Sequence, residues 1–436
     1  MVKKVVSFYD VLSEAQGYVS TTFAEQLENC DKQLLENHLK KFLDETQLEA
    51  ADLTAGELLR RLMNEMTGYS FLTDYLGRTD VEEININSWY DTKVTYSSGE
   101  IVPTYQQFQN PDHAIDVVRR MLSASNMVWN ASSCKQVGRL PGNIRISVAG
   151  FSLLDKETSL VVSIRQVNAG NLTREDYING GLATEDMLDL VLQLFMHGVS
   201  TCFAGATGAG KSTLLAWVIS QLPDHKRLIT LEDGPRDFNC IRKDENGRVL
   251  NNVLHLSTRH SDIPKDDITL AKLLEFVMTM NPDYIAIGES KGEEAMQAVN
   301  AANTGHVVAT TLHTQSAELT YLRLMSLCKM KYPNMSDSFL LRQVQQAFPI
   351  VVYLDCGEDH RRRIMAITEA VQQPDGSVRY VTLYEFVLQE NVKTKDSTEV
   401  KGFFQKRNSP SEALKKQVIS KGMTQEWINK IWGKEK

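Results

Sequence analysis

Apolar and polar positions change rhythm several times along the chain. Near the start, Leu27, Leu34, Leu35, Leu39 and Phe42 recur at helical spacing on a polar background, which marks an amphipathic helix with one buried stripe. A second such helix is predicted over 56–66. The pattern then switches to alternation. Val81-Glu82-Glu83-Ile84-Asn85-Ile86-Asn87 and Lys93-Val94-Thr95-Tyr96 alternate apolar and polar, with Ser98-Gly99 ahead of Ile101-Val102, so a small antiparallel sheet is expected. A helix over 112–125 follows, then two strand-like runs, Ile144-Arg145-Ile146-Ser147 and Leu160-Val161-Val162-Ser163-Ile164-Arg165. Asn168-Ala169-Gly170-Asn171 reads as a turn-rich linker.

From residue 184 the rhythm becomes helix, short strand, glycine-rich loop, helix, strand. The strand candidates are 200–204, 227–231, 283–287 and 306–310, with helices between them. Such alternation predicts an α/β fold, a parallel sheet wound with helices. The runs 349–355, 363–370 and 378–382 form a final antiparallel set, with Pro374-Asp375-Gly376 as a turn. The expected organisation is a helical N-terminal region (1–75), a small α+β domain (76–167), a linker (168–185), a larger α/β domain (186–392) and a basic helical tail (393–436).

Composition narrows the class. Of 436 residues, 42% are apolar and 23% charged, which suits a soluble globular chain and excludes disorder throughout. The net charge of −8 argues against a general nucleic-acid binder. Residues 1–52 carry ten acids against five lysines, whereas 393–436 carry eleven basic and five acidic residues. The tail is then either a solvated basic helix or a surface for anionic lipid or an acidic partner. The six cysteines form no CxxC pair and read as free thiols of a reducing compartment. Met1 to Asp10 lacks the apolar run of a secretory signal. Residues 190–210 carry no Asp, Glu, Lys or Arg, but the run breaks at His197-Gly198, as a helix end before a buried strand does, rather than a membrane span.

The chemistry concentrates in Gly205-Ala206-Thr207-Gly208-Ala209-Gly210-Lys211-Ser212-Thr213, which fits the P-loop pattern G-x-x-x-x-G-K-[ST]. Its glycines let backbone N–H groups turn inward onto phosphate oxygens. Lys211 brings positive charge to the β- and γ-phosphates, Ser212 offers a hydroxyl to Mg²⁺, and the following helix aims its positive end at the same place. Two apolar strands end in acids: Asp283-Tyr284-Ile285-Ala286-Ile287-Gly288-Glu289 and Leu228-Ile229-Thr230-Leu231-Glu232-Asp233. A carboxylate at such a strand end is where a nucleotidase holds metal and attacking water, although a strand-end acid is often only a cap. His306 and His313 flank one short strand, seven residues apart. Imidazole there can donate to a γ-phosphate or orient a carboxylate, or be a satisfied structural residue.

The order P-loop, Leu231-Glu232-Asp233, Ile287-Gly288-Glu289, then Gly305-His306 and Leu312-His313-Thr314 resembles the traffic ATPases of type II and type IV secretion and pilus assembly, over about 80–430. The lack of a four-cysteine metal element sets the chain apart from the GspE branch. Val81 to Asn87 and the stretch from Arg362 to Ala370, with Val381 to Phe386, are similar to the CpaF/TadA-like branch. The seven-residue histidine spacing is closer to GspE and PilT. The resemblance implies a RecA-like P-loop NTPase domain preceded by a PAS-like domain, and a homo-hexamer with ATP and Mg²⁺ between the two. Glu289 would be the Walker B acid and a metal neighbour with Ser212, Glu232 the Asp-box acid, and His306 and His313 the His box. Arg145 and Arg165, with Arg139 a weaker match, would reach the phosphates. Which glutamate is the base stays open. The implied protein is a cytoplasmic ATPase, peripheral at the inner face of the membrane, that works on a platform protein of a conjugation, secretion or pilus machine, with a coupling ATPase as a further partner and no stable nucleic-acid binding. A DNA-translocating motor and a non-hydrolysing nucleotide scaffold are the alternatives. The family's Gly-Glu-x-Arg reads Gly288-Glu289-Ser290-Lys291 and its Glu-Asp-Pro reads Glu232-Asp233-Gly234-Pro235. The polar connection 238–262 leaves Arg242 and Arg259 without an assigned place.

Overall fold

The computed structural model describes residues 4–22, 32–142, 144–166, 172–234, 238–259, 264–393 and 398–433. Leu27, Cys30, the linker Asn168-Ala169-Gly170-Asn171 and Pro235 lie outside the described residues. The chain divides into two compact units, Met1–Val167 and Asn168–Lys436.

In the first unit, β1 (Lys4–Val6), α1 (Phe8–Thr22), α2 (Lys32–Thr46), β2 (Leu48–Ala50) and α3 (Ala55–Thr67) make a small helical layer in which β1 and β2 pair in parallel. Its core holds Val11, Ala15, Leu35, Leu39, Phe42, Leu58 and Leu62. Leu34, expected in the stripe, faces outward, because positions 35, 39 and 42 already define the buried face and 34 falls off it. Helix α3 starts on a capping box, Thr54 with Glu57, which satisfies two otherwise orphaned N–H groups.

The rest of this unit is β3 (Val81–Ser88), β4 (Asp91–Tyr96), β5 (Ile101–Pro103), α4 (Pro111–Ser123), β6 (Lys135–Leu140), β7 (Ile144–Gly150) and β8 (Leu160–Gln166). The strands form one antiparallel sheet in the order β5-β4-β3-β8-β7-β6. Alternation puts Ile84, Ile86, Ile146, Val148, Val162 and Ile164 on one face, where Val117, Val118 and Met121 of α4 cover them. Two groups tie the helical layer to α4. His113 Nε2 lies 3.0 Å from the Glu65 carboxylate, and Arg120 donates to the Glu65 carbonyl at 3.0 Å. The expected division at residue 75 therefore falls inside one packed unit.

The second unit begins with α5 (Arg174–Asn179) and α6 (Glu185–Met196), then β9 (Thr201–Gly205), α7 (Lys211–Ser220), β10 (Leu228–Glu232), β11 (Val253–Ser257), α8 (Leu270–Met278), β12 (Tyr284–Ile287), α9 (Glu294–Asn303), β13 (Val307–Leu312), α10 (Ala317–Lys331), α11 (Asp337–Ala347) and β14 (Ile350–Cys356). Strands β15 (Arg362–Gln372), β16 (Val378–Lys393) and β17 (Thr398–Lys406) and helices α12 (Glu412–Ser420) and α13 (Gln425–Trp432) complete it. The nine strands run β11-β10-β12-β13-β9-β14-β15-β16-β17. From β11 to β14 neighbours are parallel, and from β14 outward they are antiparallel. Strands β9, β10 and β12 are buried along their whole length, as strands covered on both faces are. Cys202, Ile229, Ile285 and Val308 pack against α8, α9, α10 and α11 in one core.

The stretch 393–436 is not a helical tail throughout. Its first part is the edge strand β17, joined to β16 across an irregular register at Leu388/Glu390, and only α12 and α13 are helical. Both strands expose much of their length, so no clean alternation announces them. Helix α13 is held to α6: Asp189, buried, accepts from Lys430 at 2.6 Å and also from Arg174 of α5 at 2.5 Å, and its carboxylate keeps the Lys430 amine above the usual lysine range. Cys134, Cys202, Cys240, Cys328 and Cys356 are free thiols. Among the described residues no helix is long and apolar enough to cross a membrane.

Candidate functional site

Parallel pairing sends β9, β10, β12 and β13 out of the sheet on the same edge. Register couples Leu231 to Ile287, Ile287 to Thr310, and Leu312 to Ala204. The loop after β9, Glu232, Glu289 and His313 thus leave neighbouring strand ends side by side, where ligands bind in open parallel sheets.

The loop 205–210 takes its shape from glycines with positive φ: Gly205 at 149°, Gly208 at 78° and Gly210 at 89°. A Cβ on Gly205 would collide with the Leu354 carbonyl of β14. Gly210 is the N-cap of α7 and has no side chain to bond that helix's first N–H groups. By contrast, Thr184, Thr269, Ser316, Ser336 and Ser411 cap α6, α8, α10, α11 and α12 with their hydroxyls. An anion at the start of α7 would take that role, since the helix dipole and the inward N–H groups favour negative charge there. Tyr177 steadies the helix by donating to the Thr213 carbonyl at 3.0 Å and packing edge-on to Trp217.

Lys211 is 6% exposed and donates from Nζ to the Ala206 carbonyl at 2.6 Å. His313 stands beside it. Its Nδ1 lies 3.4 Å from Lys211 Nζ and 3.5 Å from the Thr207 hydroxyl, and its Nε2 lies 3.4 Å from the Glu289 carboxylate. Burial first, and the Lys211 charge second, hold the His313 pKa below its ordinary value against the opposing pull of Glu289. The ring is therefore neutral at pH 7 and can accept on one nitrogen while donating on the other.

Glu289 is presented by a clamp on both sides. Thr311 donates to the Gly288 carbonyl at 2.6 Å, Gly288 N donates to Leu231 O at 2.8 Å, Ser290 N donates to Thr311 O at 2.9 Å, and the Ser290 and Thr310 hydroxyls bond at 2.8 Å. The Glu289 side chain keeps 40% exposure. Glu232 is different. It is 3% exposed, accepts from Phe238 N at 3.0 Å and lies against Gly288, where a Cβ would come 3.3 Å from its Cγ. Asp233 accepts from Thr258 at 2.7 Å and pairs with Lys291, so the lysine in place of the usual arginine serves the acid next to Glu232.

Other expected residues are placed elsewhere. His306 precedes β13 and approaches the Ala301 carbonyl at 3.3 Å. Seven residue steps at about 3.3 Å each separate it by roughly 23 Å from His313, so strand direction removes it from the cluster around Lys211 of its own chain. Arg242 bonds Asp224 and Asn251, and Arg259 bonds Ile268 and the Asp266 carbonyl; both belong to the 238–259 connection, whose edge strand β11 was not anticipated because it is only half-buried. Arg145 and Arg165 lie in the first unit as direct register partners, with Arg139 next to Arg145 on β6. The three form a row on the sheet face away from α4. Glu83 of β3 is the other register partner of Arg165 and sets a carboxylate at the end of the row.

The chemistry of the donors suits Mg²⁺. Ser212 and Glu289 offer hard oxygens, and among the described residues no cluster of three or more His, Cys, Asp or Glu is placed to hold a metal by itself. Sequence reasoning missed Arg362, whose Nε donates to the Gly208 carbonyl at 2.8 Å. Nothing local in the sequence signals this contact.

Phosphate-binding loops of this build occur where a parallel strand hands over to a helix, and β9 and α7 make that junction, so the fold is that of a P-loop protein. Residues 132–421, about two thirds of the chain, match the family described as Type II/IV secretion system protein, and the chain belongs to that family. It is 29% identical over 191 residues to the type IV secretion system protein PtlH of Bordetella pertussis, covering 42% of this chain and 53% of that protein. It is 26% identical over 205 residues to the conjugal transfer protein TrbB of Rhizobium radiobacter, covering 46% and 57%. The chain spans about half the length of these curated relatives. Among solved structures, the VirB11 ATPase from the Brucella suis type IV secretion system is similar at 23% identity and TM-score 0.35, covering 68% of this chain and 91% of that one. The pilus retraction motor PilT with bound ADP is similar at 19% and 0.44, covering 71% and 79%.

Proposed function

We propose that the chain is a Mg²⁺-dependent ATPase, working as a hexamer, that powers a type IV secretion, conjugation or Tad-type pilus assembly machine from the inner face of the cytoplasmic membrane. The observation that carries the enzymatic part is the His313 ring between Lys211 of the P-loop and the half-exposed Glu289. Loop N–H groups and the start of α7 take the phosphates, and Lys211 neutralises charge on the leaving and transferred groups. Glu289 orients and deprotonates the attacking water, while Glu232, buried and bonded to Phe238 N, backs the Gly288 segment. Neutral His313 passes a hydrogen bond between Glu289 and the P-loop side. Ser212 and Glu289 would hold Mg²⁺, which supplies charge neutralisation at the β- and γ-oxygens.

Arg145 and Arg165, with Arg139 a weaker candidate, are the residues of the small PAS-like domain that would stabilise phosphate charge, by their match to the family's small-domain arginines. An arginine that arrives with a moving domain stabilises charge only on closure. Membership in the secretion family supports a platform protein and a coupling ATPase as partners. Mg²⁺-dependent ATP hydrolysis per subunit, followed as protein concentration rises, tests the reading with Glu289→Gln as control. Specific activity should climb with concentration and vanish in the variant. Binding without turnover at every concentration defeats the motor in favour of a scaffold, and severalfold stimulation by DNA favours a DNA translocase.

A further inference from the structure

Arg362 opens β15 in the antiparallel extension, yet it reaches the P-loop. Its Nε donates to Gly208 O at 2.8 Å, and its Cδ lies 3.3 Å from where a Cβ would stand on Gly210. A trans peptide aims its C=O and the next N–H in opposite directions. Gly208 C=O is held by Arg362, and Ala209 N–H donates to Ala206 O at 3.3 Å. The Gly208–Ala209 peptide is thus gripped at both edges. The grip matters because Gly208 sits at φ 78°, and glycine tolerates either sense of the adjoining peptide. A flipped peptide would turn the Gly208 carbonyl onto the Ala206 carbonyl, which also accepts from Lys211 Nζ at 2.6 Å, and would break the turn that carries the following N–H groups toward an anion. The same hairpin bounds the loop at its start: β14 pairs with β9, and the Leu354 carbonyl fills the space beside Gly205.

We propose that Arg362 is a positioning residue for the P-loop, holding the Gly208–Ala209 peptide in the turn from which the following N–H groups meet the phosphates of a nucleoside triphosphate and so tying the β14–β15 hairpin to nucleotide binding. The inference rests on the reading of this loop as a nucleotide site. Arg362 grips the carbonyl edge of the peptide, so it acts through the loop.

The test uses the full chain with Arg362→Ala, Arg362→Lys and Arg362→Gln, a fluorescent ATP analogue with Mg²⁺ for affinity, steady-state hydrolysis, and amide hydrogen exchange of 205–212 without nucleotide. Arg362→Ala should weaken affinity and raise KM about tenfold, the share of one charge-assisted bond, with kcat at saturation within about twofold of wild type. Its loop amides should exchange faster, and Arg362→Lys, whose ammonium can donate to the same carbonyl, should recover most of the loss. Wild-type affinity and loop exchange in Arg362→Ala overturn the proposal. If that variant does not fold, wild-type affinity in both Arg362→Lys and Arg362→Gln overturns it equally. Wild-type protein that binds the analogue no better than Lys211→Ala overturns the nucleotide reading itself, and the proposal with it.

Discussion

Thr311→Val isolates the placement of Glu289 from its chemistry. The Thr311 hydroxyl is buried and donates to the Gly288 carbonyl at 2.6 Å. Valine keeps the β-branched shape that suits β13 but puts a methyl group where the hydroxyl was. A carbon and an oxygen rest at about 3.2–3.3 Å, so the carbonyl must withdraw by roughly 0.6 Å. Glu289 is the next residue, and its backbone on the far side is still held by Ser290, so the displacement turns the carboxylate rather than freeing it. Two losses follow. The part-buried carbonyl left without its donor lowers stability by about 1 kcal/mol. Misplacing a catalytic group by half an ångström or more lowers kcat by about tenfold, given that a full ångström costs on the order of a hundredfold. KM should change less than kcat, because the P-loop is untouched and Ser212 would still hold the Mg²⁺ that Glu289 shares. Turnover at saturating MgATP and urea unfolding, with Thr311→Ser retaining the donor, measure both. A variant that loses the stability but keeps kcat within about twofold refutes the reasoning. Thr311 would then brace the sheet without aiming Glu289.

The His313 ring should titrate below about 6.5 in the folded protein, since burial and Lys211 outweigh Glu289. Ring-nitrogen NMR checks it: Lys211→Ala should raise the value, Glu289→Gln should lower it further, and a wild-type value above the ordinary one ends the argument for a neutral ring. The same shift has a stability sign. Between the folded and unfolded pKa the unfolded chain binds more protons, so stability present above that window falls as pH drops through it. Asp189→Ala leaves Arg174 and Lys430 facing each other without their shared anion. A fully buried pair would cost about 3–5 kcal/mol. Solvent reaches 27% of Arg174 and 40% of Lys430, which reduces the cost to about 1–2 kcal/mol. Urea unfolding and protease sensitivity across 407–433 should show it, and an unchanged midpoint would mean that the docking of α13 does not depend on Asp189.

What could be read from the sequence divides along burial and direction. Strands β9, β10, β12 and β13 were visible because burial on both faces forces a continuous apolar run, and the P-loop because its glycines and lysine are contiguous. Strands β11 and β17 were missed because edges keep one side in water and their side chains obey no strict alternation. Direction decided the histidines. His306 and His313 look equivalent as flanks of one strand, but parallel pairing delivers only the carboxyl end of β13 to the P-loop and sends His306 to the other edge. Arg362 shows the same logic at long range. It lies 154 residues from Gly208, and what brings them together is the pairing of β14 with β9 and of β15 with β14. A residue type at a spacing cannot announce a contact made by two successive strand registers. The hairpin beyond β14, which the sequence shows only as a final antiparallel set of the α/β domain, is in the structure one wall of the P-loop.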